Sequence, residues 1–206
     1  MSMIGCFRSA SDAELQALIE SPRRIYKVLQ PELSGAPSKP SWWQRLLGVR
    51  HTPPPDDGWL PEDGNEDFDV DKAWHGIHFA LCGDPWAGSG PLAFICNGGI
   101  EIGSDDVGYG PARVFFSRDV EAIVGALAAL DLEALRQGCR REDFHKNDIY
   151  PNIWDEDEEE CFGYVFSYLD ELKVFLERVK HAGKGLIVYI GDRKSTRLNS
   201  SHYRTS

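Results

Sequence analysis

A long amphipathic helix that runs into a buried strand is the feature that most constrains this chain. From Asp155 to about Lys180, the residues Phe162, Phe166, Leu169, Leu172, Leu176 and Val179 recur at three- to four-residue spacing. That period places them on one face of an α-helix. Acids crowd its first turns, Asp155 to Glu160, and Lys180 and His181 close it, the order that the helix dipole favours. Gly183 ends the helix, and Leu186 to Ile190 (LIVYI) reads as a buried strand. Such a helix needs another layer to cover its apolar face, so the chain must build a layered core.

The earlier segments supply that layer. Met3 to Phe7 reads as an opening strand. Ser11 to Glu14 matches a capping box, with Glu14 reaching back to the start of a helix that carries Leu15, Leu18 and Ile19. Ser21-Pro22 restarts a second helical piece along Ile25, Val28 and Leu29. Asp69 to Cys82 is helical by the spacing of Trp74, Ile77, His78 and Leu81, and Gly83-Asp84-Pro85 stops it. Gly88 to Gly110 is glycine-rich and irregular, and Ala112 to Phe116 reads as a strand. Ser117 caps a helix over Asp119 to Leu130, and Asp131 caps a shorter one ending near Gly138. Few strands among many helices predict an α/β fold, a small mixed sheet packed by several helices in a single domain over residues 1–191.

Two stretches depart from this pattern. Between Pro31 and Asp67 seven prolines exclude long helices and regular ladders. Within it, Ser41 to Val49 places Trp43, Leu46 and Leu47 on one side of a short helix, which either pins the loop to the body or forms a partner-binding lid. After Gly191 the chain reads DRKSTRLNSSHYRTS, polar and without an apolar period. Back-translated, Asp192 to His202 resembles a sequencing adapter read in frame, so residues 192–206 are expected to be a non-native tail.

Net charge is −11, which argues against nucleic acid or an anionic membrane as the main partner, since phosphate binding rests on basic patches. It admits a basic protein partner. No apolar run approaches membrane-spanning length, and Met1 to Phe7 lacks the basic-then-apolar order of a secretory signal. The five cysteines include no C-x-x-C pair, which points to idle thiols in a reducing, cytoplasmic setting rather than a disulfide framework or zinc cage.

Several motifs taken together carry a resemblance: Met3-Ile4-Gly5; Asp71 to Phe79 (DKAWHGIHF) followed by Gly83; Asp106 to Arg113 (DVGYGPAR); and Asp148-Ile149-Tyr150-Pro151 with Trp154-Asp155. In order and spacing the chain resembles the YfbM-like family of unknown function. The resemblance implies an α/β fold and a bacterial cytoplasmic setting, and it supplies no catalytic residues. The Pro-rich segment, about residues 34–67, is expected to be an insertion relative to that family.

Three constellations bear on chemistry. Asp71, His75 and His78 fall at i, i+4 and i+7, one helix face on which a metal is conceivable, although a histidine on an apolar stripe is more often a core residue. Asp105, Asp106, Tyr109 and Arg113 lie among glycines that permit an anion nest or a tight turn, without a phosphate-loop motif. Asp155 to Glu160 is six consecutive acids, a solvated helix start or a docking site for a basic surface. No nucleophile motif occurs, and nothing calls for a cofactor. The leading expectation is a non-enzymatic binding or interaction protein, with an immunity-like role compatible with its acidity. The alternative is a small anionic-ligand binder or enzyme whose pocket combines Trp74, His78, Asp106, Tyr109, Arg113, Tyr150 and Trp154.

Overall fold

The computed structural model describes residues 2–29, 57–104 and 107–192. The late helix is α7, Glu158–His181, so named because six α-helices precede it among the described residues. It starts at Glu158 rather than Asp155 because the Asp157 carboxylate caps it, accepting the backbone N–H groups of Glu159 at 3.0 Å and Glu160 at 3.2 Å. All six apolar residues read from the sequence are buried, together with Val165 and Phe175. Gly183, at φ 63°, takes the left-handed conformation that lets the chain turn out of the helix.

The turn feeds strand β5, Gly185–Asp192. On one side β5 pairs with β1, Met3–Ala10, in a ladder from Met3 opposite Asp192 to Ala10 opposite Gly185. On the other it pairs with β4, Arg113–Phe115. Two short edges complete a five-stranded sheet in the order β2-β1-β5-β4-β3, with β2 at Asp67–Asp69 and β3 at Ile100–Glu101. The α/β architecture and single domain are as expected, but the sheet is antiparallel throughout, not mixed. Four helices intervene between β4 and β5, so no single-helix crossover sets two neighbours parallel. The ladder also includes Asp192, one residue beyond the expected end of the native domain; residues 193–206 and the helix expected over Ser41 to Val49 lie outside the described residues.

Alternation along β5 separates two cores. Leu186 and Val188 face a large cluster with α7 and with the helices α3, Trp74–Cys82, and α4, Ser117–Ala128. Ile187 faces a smaller cluster built on α1, Asp12–Glu20, and α2, Ile25–Leu29. Gly185 is needed where the layers close, since a Cβ there would stand 2.5 Å from Leu15 Cδ1 and closer still to the Phe115 carbonyl. Two further short helices, α5 at Leu132–Gly138 and α6 at Arg141–Lys146, lead back to α7.

Two caps differ from expectation. Ser11 Oγ accepts the Glu14 N–H at 3.1 Å as a cap should, but Glu14 does not reach back. Its buried carboxylate accepts from Asn65 Nδ2 at 2.6 Å and the Glu62 N–H at 3.4 Å, tying down the chain that re-enters after residue 56. Lys27 Nζ secures the same segment through Asp57 Oδ1 and the Trp59 carbonyl, both at 2.9 Å. At α4 the Asp119 carboxylate accepts the Phe116 N–H at 2.9 Å, while Ser117 Oγ bonds Asp12 instead of capping. Long-range partners have claimed both side chains.

Leu172 is fully buried on α7, and Val174 beside it is 59% exposed. Leu172→Ala is expected to cost about 2–5 kcal/mol in urea unfolding, and Val174→Ala no more than about 0.5 kcal/mol.

Candidate functional site

The α3 histidines are packing elements. His75 is 1% exposed and has both ring nitrogens engaged. Nδ1 accepts the Tyr150 N–H at 3.0 Å, and Nε2 lies 2.8 Å from the Pro85 carbonyl. An acceptor at one nitrogen and a carbonyl at the other require the neutral Nε2–H tautomer, which has no lone pair left for a metal. Asp71 precedes α3 in a 3-10 turn, and its carboxylate accepts from Tyr164 Oη at 3.3 Å. Asp71, His75 and His78 thus have separate partners, and no three His, Cys, Asp or Glu among the described residues are grouped to hold a metal.

His78 is fully buried beside Cys82, its Nδ1 3.7 Å from the thiol. Its Nε2 has no hydrogen-bond partner in good geometry, although the Ala87 carbonyl is close enough to favour the protonated ring. Burial dominates and lowers the pKa of both imidazoles.

The seven residues of the sequence-derived pocket divide among several places. Trp74 and Tyr150 meet, ring centroids 6.1 Å apart. Trp154 is a core residue, packed on Phe144 and donating its indole N–H to the Ile149 carbonyl. Arg113 shares its face of β4 with Phe115, two residues on, which packs in the large cluster with α3. Its guanidinium is committed to the carbonyls of Ile95 and Gly98 and sits 5.8 Å from the Phe115 ring. Tyr109 has an exposed ring, and no ring contact joins it to Trp74 or Tyr150 among the described residues. Asp106 lies outside the described residues.

A cleft opens where the chain after Tyr150 meets the start of α7. It has a volume of about 310 Å³. Asp71 and Lys72 form one wall, Pro151, Ile153 and Glu156 a second, and Glu160, Cys161 and Tyr164 of α7 a third. Tyr164 is its hinge pin: Oη donates to Asp71 and accepts the Lys72 N–H at 3.1 Å. Burial, reinforced by the Asp71 charge, raises the pKa of that phenol and keeps it protonated. Asp71 holds φ 45°, in the left-handed region that Asp visits more readily than most L-residues. Cys161 donates to the Ile153 carbonyl, and burial raises its pKa, which disfavours the reactive thiolate.

The six acids before and within the start of α7 have unequal roles. Asp155 lies 3.3 Å from His145, Glu159 pairs with Arg136, and Asp157 is the cap. Among the described residues the carboxylates of Glu156, Glu158 and Glu160 have no ion-pair partner, and two of the three line the cleft. Lys72, Tyr164 and the neighbouring Trp86 escaped the sequence reading. The available signals were a tyrosine off the apolar stripe of α7 and a tryptophan stranded in a glycine-rich turn.

The buried imidazoles give a pH test. Their pKa values in the fold lie below 6.5, so the unfolded chain binds protons that the fold refuses, and stability falls as pH drops below that value. Urea midpoints should decline from about pH 7.5 to about pH 5.5, and His78→Gln should flatten the decline. Glu14, which burial shifts upward, acts in the opposite sense but equally in both proteins. An unchanged slope in the variant would rule His78 out as a contributor.

No match is found among curated proteins. Among solved structures, the fold is similar to that of a protein of unknown function, YfbM from Escherichia coli, with a TM-score of 0.61 at 21% identity over 91% of this chain and 99% of that chain. This likeness agrees with the YfbM-like motifs of the sequence and shows the fold. A family model described as a domain of unknown function, DUF1877, matches residues 1–189, and the chain belongs to that family.

Proposed function

We propose that this protein is a non-enzymatic binding domain that docks a basic segment of a protein partner in the acidic cleft. The observation that carries the reading is the cleft's unbalanced charge: Asp71, Glu156 and Glu160 face a single Lys72. Glu156 and Glu160, which have no ion-pair partner among the described residues, line the same cleft and attract an external cation. Burial favours the protonated forms of the thiol and the phenol in the same cleft, which does not poise either as a nucleophile. A bacterial cytoplasmic setting and an immunity-like role fit this reading, since both suit an acidic protein that neutralises or escorts a basic one.

The test is calorimetric titration of the full chain with a glycine-spaced lysine peptide. Binding should weaken as salt is raised, and Glu156→Gln with Glu160→Gln should weaken it by about tenfold, the loss of two modest ion pairs. Absent binding, or binding indifferent to both substitutions, would overturn the proposal.

A further inference from the structure

We infer that the docking surface extends beyond the cleft to Trp86, which stacks an arginine guanidinium of the basic partner; the inference rests on the cleft reading above. Trp86 is 60% exposed, whereas Trp74 and Trp154, which pack in the same region, are at most 3% exposed. An exposed indole offers a large, polarisable face to a partner.

Its exposure does not come from looseness. The Trp86 N–H donates to Asp84 Oδ1 at 2.9 Å, and its carbonyl accepts from Asn97 Nδ2 at 2.7 Å. Its ring lies on His75, centroids 4.4 Å apart, and His75 lies on Trp74 at 4.9 Å. His75 is itself fixed by Tyr150 and Pro85. A ring held this way is pre-organised, so a partner loses little entropy in stacking on it.

The surroundings select the partner. Trp86 meets Trp74 and Trp74 meets Tyr150, ring centroids 6.1 Å apart in both pairs; Tyr150 is followed in the chain by Pro151, which lines the cleft, so the aromatic group leads from Trp86 to the segment that forms the cleft. Asp84, held ionised by the backbone N–H groups of Trp86 and Ala87, places a negative charge at the backbone of the turn that carries the indole. An exposed aromatic ring carried on a turn with an ionised carboxylate suits a cation. A planar guanidinium stacks on an indole better than an ammonium does. A second copy of this chain is a poor occupant because it brings the same net charge of −11.

Glycine-spaced arginine and lysine peptides of equal length, titrated into the full chain, test this. The arginine peptide is expected to bind about two- to fivefold more tightly, the range of an exposed cation–π contact. Trp86→Ala should abolish that preference while lysine-peptide binding persists, and Trp86→Phe should restore part of it. Thermal melts check that both variants fold. A preference that survives in Trp86→Ala would overturn the inference and leave the cleft reading standing. Failure of both peptides to bind would overturn the cleft reading and the inference with it. Self-association that Trp86→Ala removes would also overturn it, making a second copy the occupant.

Discussion

One face of α7, from Cys161 to Val179, is closed to water and shares a single apolar cluster with Leu186 and Val188 of β5 and the inner face of α4. Each fully buried Leu, Phe or Val side chain contributes about 1.5–3 kcal/mol toward offsetting the entropy of ordering the chain. The helix is fixed along its whole length, and so is whatever its first turns carry. Glu160 and Tyr164 hold their places in the cleft wall because Phe162, Val165 and Phe166 are anchored on the opposite side of the same turns. Stability and the candidate site therefore depend on the same contact.

His75 is the second organising group. Its ring joins three segments distant in sequence: α3 itself, the turn at Pro85 and the chain at Tyr150. A neutral imidazole with both nitrogens engaged is one of the few side chains able to bridge two backbone groups of opposite polarity inside a core. The bridge brings Tyr150 and Pro151 toward Asp71 and Lys72, which shapes the cleft, and it seats Trp86 on the surface. A residue that looks like a metal ligand in the sequence is thus a structural joint that positions the surface around it.

Much of this was legible beforehand. Periodicity revealed α7 because nine buried positions recur over its length, and it revealed β5 because a run such as LIVYI survives only in a core. Edge strands of two or three residues, Asp67–Asp69 and Ile100–Glu101, carry too little pattern to stand out, since their pairing comes from a neighbour and not from their own side chains. The cap at Ser11 was half legible, since its hydroxyl accepts the Glu14 N–H as read, whereas Ser117 does not cap; Glu14 and Ser117 found long-range partners that local sequence does not contain.

The sequence by itself determined every described α-helix but Arg141–Lys146, the buried strand, the acidity and the family resemblance, because these follow from side-chain period, composition and motif order. The tertiary structure alone decided which acids remain unpaired, which tryptophan stays in water and which histidine nitrogens are occupied. Those outcomes depend on contacts between residues far apart in the chain, such as Tyr164 with Asp71 and His75 with Tyr150. Nothing in the spacing along the chain records whether two distant groups meet; packing of the layers does.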